Sequence, residues 1–314
     1  VTSRRVETTD AGTSPRSETP PARRPGRLRA FLRLVQFEHS VFALPFAYIA
    51  ALTAMWQADR HVHWRQLGIV TVAMVAARTF AMAVNRIVDR HIDARNPRTR
   101  QRELVTGVVS VRAAGIGALS ALAVLVVSAA ALNRLCLYLS PVAAFVLAGY
   151  PYAKRITWAP HAVLGLAQTI GPIGAWIAVT GTWSWTAVLL GLAVGCWIGG
   201  FDIIYALQDY EFDRTVGIQS LPARFGPHIA LAWSRVAHFA TIALLLWFGA
   251  AAGLRIVWLV GVLAAAVALG YEQHLVKPSD FSKVNRAFFT VNGYIGVGLF
   301  LFGLGDLIAG GLRW

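Results

Sequence analysis

Two runs of oxygen-bearing side chains recur at a spacing of four. The first is Asn85, Asp89 and Asp93; the second is Asp209 and Asp213, with Asp202, Tyr205 and Gln208 upstream of it. Residues four apart on an α-helix share a face, with Cβ atoms about 5–6 Å apart, so each run predicts a stripe of oxygen donors. Stacked carboxylates repel one another and are costly to desolvate near a bilayer, so a cation has to offset them. Mg2+ suits the position, because it is a hard ion that takes one or two carboxylates and completes its shell with water and phosphate oxygens. Two facing stripes could hold such ions against a diphosphate, with nearby Arg and Lys closing the charge balance. One acidic motif beside arginines is ordinarily a solvated helix end. Here Asp89 and Asp209 stand 120 positions apart, as do Asp93 and Asp213, a recurrence that points to repeated architecture with a site between the halves.

The elements that must carry these stripes are membrane helices. The 314-residue chain is 56% hydrophobic and only 14% charged, whereas a soluble domain carries about a quarter of its residues as charges. The deficit comes from apolar runs of about 20 residues, long enough to span a bilayer as helices. Nine spans are expected, near 40–56, 67–88, 112–132, 135–152, 160–180, 186–206, 229–250, 254–272 and 288–311. The fold class is therefore all-α, a polytopic bundle over residues 27–314. Gly191, Gly195 and Gly199 offer a small-residue surface for close helix packing. Cys136 and Cys196 lie inside apolar runs and read as buried small side chains. Trp64 and Trp183, near span ends, read as interfacial anchors.

Residues 1–26 are rich in Thr, Ser, Pro, Arg and Glu and nearly free of large apolar residues, a composition expected to stay disordered and lacking the apolar core of a secretory signal. Arg23, Arg24, Arg27, Arg29 and Arg33 form a basic collar suited to anionic membrane lipid. The formal net charge of +14 would point to nucleic acid in a soluble protein. Here the basic residues concentrate in the tail and alternate loops: Arg90, Arg95, Arg98, Arg100, Arg102 and Arg112; Lys154 and Arg155; Arg214 and Arg224; Lys277, Lys283 and Arg286. No nucleic-acid partner is expected. The positive-inside rule puts these loops, and with them both acidic motifs, on the cytoplasmic side of the cell membrane.

At these residues the chain resembles the UbiA superfamily of intramembrane prenyltransferases. The family's NDxxDxxxD motif is matched at Asn85, Asp89 and Asp93, and its DxxxD motif at Asp209 and Asp213; Arg86 departs from it where many members carry Asp. Phe37-Glu38-His39-Ser40 with Ala43-Leu44-Pro45-Phe46 resembles the family's entry to the first span. Arg95–Thr99 resembles the loop after the first motif, Gly217–Leu221 the segment after the second, and Tyr150 with Lys154 the YxxxK pattern. The likeness covers most of residues 31–300.

The resemblance implies a nine-helix bundle around a lipid-accessible cavity, with a cytoplasmic metal site. The implied activity is transfer of a prenyl chain from a prenyl diphosphate to an acceptor, usually aromatic. Asn85, Asp89, Asp93, Asp209 and Asp213 are then the expected Mg2+ ligands. Lys154 held by Tyr150, together with Arg78, Arg90 and Arg155, is expected to add positive charge at the leaving group. Segments around Phe201–Asp213, Glu272–Pro278 and Asn285–Asn292 are most similar to bacterial members that prenylate 4-hydroxybenzoate. Some of these serve the futalosine-type route to menaquinone, which implies a hydroxybenzoate- or naphthoate-type carboxylic acid in respiratory quinone synthesis. Glu38, His39, His274 and Asp280 are weaker candidates, read first as interfacial or solvated groups. A membrane terpene cyclase, a different prenyl acceptor, or a transporter with an acidic ion path remain open as alternatives.

Overall fold

The computed structural model describes residues 26–35 and 44–314. The segment expected to be a disordered tail, and the Phe37–Ser40 and Ala43 positions of the family resemblance, therefore lie outside the described residues apart from Gly26. The helices are α1 (Arg27–Leu34), α2 (Leu44–Ala58), α3 (Trp64–Arg95), α4 (Val111–Leu132), α5 (Arg134–Gly149), α6 (Ala153–Ile156), α7 (Pro160–Thr180), α8 (Trp185–Ala206), α9 (Tyr210–Val216), α10 (Leu221–Ala252), α11 (Ile256–Leu275) and α12 (Asn292–Ala309). Among the described residues, eight helical segments are long and apolar enough to cross a membrane. The 15-residue α2 overlaps the first of the nine expected spans.

Helix length decides where the polar ends fall. The 32-residue α3 is about 48 Å long at 1.5 Å per residue, against a hydrocarbon core of about 30 Å. Its Trp64 is 59% exposed and marks the interface at the other end, so Asn85–Arg95 emerges beyond the apolar layer while still helical. The segment that starts at Trp185 behaves alike. Its α8 is almost wholly apolar, turns through a 3₁₀ segment at Leu207–Asp209 and resumes as α9. A left-handed Gly217 (φ 77°) ends α9, and Ser220 then caps α10 by accepting a hydrogen bond from the Ala223 amide. That helix begins eight residues before the expected span, because Pro222 sits in its first turn, where proline costs nothing, and the break at Gly226 (φ 81°) kinks it without ending it.

Helix α8 is the bundle's centre, packed along α7 on one side and α10 on the other. Buried Trp197 stacks at a tilt on Phe46 of α2, with ring centroids 5.0 Å apart. The α7–α8 approach depends on glycine: a Cβ at Gly195 would stand 2.8 Å from the Gly165 carbonyl oxygen, and one at Gly199 3.1 Å from the His161 carbonyl oxygen. Gly195→Leu is therefore expected to force the two helices apart at a cost of about 1–3 kcal/mol, read as a lower thermal midpoint of the detergent-purified protein. An unchanged midpoint would mean that the contact is slack.

Two buried carboxylates outside the acidic motifs, Asp306 and Glu272, join neighbouring helices by hydrogen bonds. Asp306 of α12 accepts backbone hydrogen bonds from Arg255, Val257 and Trp258 at 2.7, 3.0 and 3.1 Å, capping the start of α11. Glu272 accepts from Asn292 Nδ2 at 3.0 Å, and Asn292 Oδ1 accepts from Trp197 Nε1 at 2.7 Å, tying α8, α11 and α12 together. Both cysteines are free thiols.

Candidate active site

Because α3 stays helical to Arg95, its three donors share one face as expected, and Asn85 Nδ2 donates to Asp89 Oδ2 at 3.2 Å. The second motif is built differently. Asp209 closes the 3₁₀ turn and Asp213 lies in α9, so this pair is carried by a bend rather than by one straight helical face. Asp89, Asp93 and Asp213 are all buried.

Basic side chains from two segments, α6 and the loop after α3, meet these carboxylates. Lys154 Nζ donates to Asp89 Oδ2 at 2.5 Å, and Arg155 Nη2 donates to the Val88 carbonyl at 2.7 Å while standing 3.8 Å from Asp89 Oδ1. Arg102 Nη1 donates to Asp93 Oδ1 at 2.6 Å. Arg98 grips Asp209 with two nitrogens, Nε to Oδ1 at 3.0 Å and Nη2 to Oδ2, and its Nη1 donates to the Tyr205 hydroxyl at 2.8 Å. Asn96 Nδ2 also donates to Asp209 Oδ1, at 2.9 Å, while its own amide oxygen accepts from the Arg98 amide. Burial acts most strongly on Arg98 and lowers its pKa, but Asp209, Tyr205 and Asp93 together outweigh that and hold the guanidinium above its ordinary value. The loop after α3 thus folds back over both acidic motifs, and Gln219 N, bonded to the Lys154 carbonyl at 3.0 Å, joins the segment after α9 to α6.

Three of the expected basic residues reach positions that differ from the sequence reading. Lys154 is held by Asp89 rather than by Tyr150, because the 3₁₀ turn Tyr150–Tyr152 breaks the helical register between them. Arg90 does not join the acidic cluster: neighbours on a helix face about 100° apart, and its Nε donates to His91 Nε2 instead. Arg78 lies seven residues before Asn85 on α3, on the same face but about 10 Å deeper along the axis, where it lines a cavity. Asn96 and Arg98 were legible only as part of the family-like loop Arg95–Thr99, and Arg102 only as loop charge. Nothing in their local spacing says which carboxylate each one reaches.

The donor set has the chemistry and the vacant valence of a metal site. Asp89 Oδ1 is buried and accepts no hydrogen bond, and Asp213 has no ion pair among the described residues. A buried carboxylate without an ion pair is expensive, so Asp213 calls for a cation, while Asp89, already paired with Lys154 and Arg155, keeps Oδ1 free of hydrogen bonds and open to ligate one. The donors are all hard oxygens or an amide, the chemistry of Mg2+. Among the described residues no three His, Cys, Asp or Glu side chains converge to hold an ion alone, which fits a site split into halves whose ions take the remaining ligands from phosphate and water. The residues fit the group.

Beside this cluster lies a cavity of about 350 Å³ walled by α3, α4, α5, α7 and α8. Its walls are apolar, with Met74, Leu125 and Ile198 typical, and the polar groups on them include Tyr150, Gln168, Ser140 and Arg78. Arg78 is the one charged residue among the described lining, and its Nε is buried without a hydrogen-bond partner. Val142 and Trp183 also line the cavity, yet are 59% and 55% exposed, so it reaches the outer surface of the bundle.

A membrane-spanning helical bundle with two acidic helix ends over an apolar cavity defines an intramembrane enzyme class, and comparison with known proteins identifies it. The model of the UbiA prenyltransferase family matches residues 43–294. The 4-hydroxybenzoate octaprenyltransferase of Paracidovorax citrulli is 32% identical over 284 residues, covering 88% of this chain and 93% of the relative. The apo structure of a UbiA homologue from Aeropyrum pernix K1 superposes with a TM-score of 0.78 at 33% identity, covering 86% of this chain and 98% of that one. A UbiA homologue from Archaeoglobus fulgidus, solved bound to DMAPP and Mg2+, shares the fold at a TM-score of 0.68 and 20% identity, covering 89% of this chain and 99% of that one. The chain belongs to the UbiA prenyltransferase family and is a multi-pass membrane prenyltransferase.

Proposed function

We propose that this enzyme transfers a prenyl chain from a prenyl diphosphate to an aromatic carboxylic acid of the hydroxybenzoate or naphthoate type, in respiratory quinone synthesis. The observation that carries the acceptor class is Arg78. A lone guanidinium in an apolar wall costs several kcal/mol unless an anion joins it, and an aromatic acid brings both a carboxylate for Arg78 and a ring for the apolar surface. The name of the Paracidovorax relative supports this reading. A terpene cyclase would bring no second anion and would leave Arg78 unpaired.

Asn85, Asp89, Asp93, Asp209 and Asp213 would hold Mg2+, which when bound neutralises the diphosphate and polarises the allylic C–O bond. The Archaeoglobus neighbour, bound to DMAPP and Mg2+, supports such a pairing. Lys154 and Arg155, on the α6 side of Asp89, add positive charge where the leaving group gains negative charge. The apolar cavity keeps water from the allylic carbon, and its opening at Val142 and Trp183 gives a long isoprenoid tail a way into lipid. The basic loops at the acidic end support a cytoplasmic position for that end by the positive-inside rule. A transporter would carry its carboxylates nearer the bilayer midplane, not at helix ends.

The test is a panel of prenyl diphosphates against 4-hydroxybenzoate and dihydroxynaphthoates in membranes containing the enzyme, with product mass as the readout. Expected is one acceptor class gaining the prenyl mass together with Mg2+-dependent diphosphate release. If no aromatic acid gains that mass while diphosphate is still released, the acceptor reading falls and a cyclase stands.

A further inference from the structure

One ionisable pair lies outside the roles given above. His161, in the first turn of α7, is 4% exposed, and its Nδ1 lies 2.7 Å from Oδ2 of Asp202 on α8. Its other nitrogen, Nε2, is buried and has no hydrogen-bond partner. A carboxylate only accepts hydrogen bonds, so Asp202 fixes the proton on Nδ1 and leaves a lone pair on Nε2. Helical register puts the pair at the joint between the cavity and the acidic cluster. On α8, Val194 and Ile198 line the cavity; Asp202 follows four residues later on that face, and the 3₁₀ turn that carries Asp209 begins five residues beyond it. On α7, Gln168 lines the cavity, and His161 precedes it by seven residues, again on the same face. His161 lies within electrostatic reach of Asp213, and Asp202 within reach of Tyr150. The allylic carbon must sit at this joint, with its diphosphate among the aspartates and its tail in the cavity.

Alkylation of an aromatic ring leaves a proton to be removed. The allylic C–O bond breaks with its electron pair going to diphosphate, and a ring carbon forms the new C–C bond. The same ring carbon then gives up its hydrogen as a proton so that aromaticity returns. Arg78 is cationic, Gln168 and Ser140 are weak bases, and the Tyr150 hydroxyl and Cys136 thiol already carry their own protons, so the described cavity wall holds no good acceptor. We propose that His161 Nε2 takes this proton as a catalytic base, with Asp202 as a positioning residue that fixes the tautomer and stabilises the imidazolium formed. This rests on the aromatic-acceptor reading above.

The competing role is a hydrogen-bonded staple between α7 and α8, helices already in intimate contact at Gly195. His161→Gln separates the two, because its amide can still donate to Asp202 but cannot serve as a base. The experiment uses the full chain in membranes with Mg2+, a prenyl diphosphate and the aromatic acid the wild type prenylates. That acid is supplied with hydrogen or deuterium at the alkylated ring position. Expected for His161→Gln is a fall in kcat of about 10²-fold or more with KM for the prenyl diphosphate unchanged. A ring-deuterium isotope effect larger than the wild type's should accompany it, because deprotonation has become slow. Asp202→Asn should show the same isotope effect with a smaller loss. Wild-type turnover in His161→Gln overturns the proposal, as does a loss of activity with no increase in the isotope effect, which marks a staple or a proton taken by the diphosphate. Failure of the wild type to prenylate any aromatic acid is a different result and removes the acceptor reading itself.

Discussion

Asp213→Asn should lower turnover by about 10²- to 10⁴-fold while leaving the bundle at least as stable as the wild type. The two halves of this expectation come from one fact: Asp213 is buried and has no ion pair among the described residues. If it received no cation, replacing a buried carboxylate that has no ion pair with a near-isosteric amide would relieve a cost and leave activity alone. If it exists to receive a cation, the amide removes the charge that holds it. Charge stabilisation by a bound metal is worth several kcal/mol in the transition state, and each 1.36 kcal/mol is tenfold in rate, hence the magnitude. Magnesium-dependent diphosphate release and prenylated product are measured beside the thermal midpoint in detergent. Full activity in Asp213→Asn would remove this residue from the metal set. A collapsed midpoint would show that the fold depends on the carboxylate's own hydrogen bonds and would overturn the expected stability.

The parts of this site that depend on chain-local geometry were legible, and those that depend on folding back were not. Hydropathy located the spans because the bilayer imposes one length on all of them. The stripe Asn85–Asp89–Asp93 followed from helical periodicity alone, since α3 is long enough to remain a helix beyond the apolar layer. Asp209 and Asp213 were identified by type but not by shape, because the 3₁₀ turn at Leu207–Asp209 has no signature in a spacing of four. The loop after α3 read as charge that orients the protein, yet Arg98 and Arg102 each close on a named carboxylate. Arg98 reaches Asp209 across 111 positions of sequence, a separation that local pattern cannot carry. His161 gave no signal either. A single histidine after a proline is unremarkable until α7 and α8 approach closely enough at their glycines to bring Asp202 to it.

Arg78→Leu should lower kcat/KM for the aromatic acid by about 10²- to 10³-fold and leave binding of the prenyl diphosphate nearly unchanged. The separation of the two effects follows from depth: Arg78 stands about 10 Å below Asn85 on α3, in the cavity wall rather than among the aspartates. Losing one partner of a buried, hydrogen-bonded charge pair costs about 2–5 kcal/mol, which sets the size of the loss. The leucine fills an apolar wall, so the cavity keeps its shape and the change removes only the guanidinium. A neutral acceptor provides the control. The methyl ester or aldehyde of the same aromatic acid has no carboxylate to lose, so its rate should fall little or rise, and the preference for acid over neutral analogue should narrow by the same factor. Arg78→Lys keeps the charge but not the planar fork that matches a carboxylate, and should recover part of the preference. An equal loss for acid and ester would place Arg78 in the service of the diphosphate, the role its sequence position first suggested. A wild-type preference in Arg78→Leu would leave the buried guanidinium without an assigned anion and the acceptor class without its anchor.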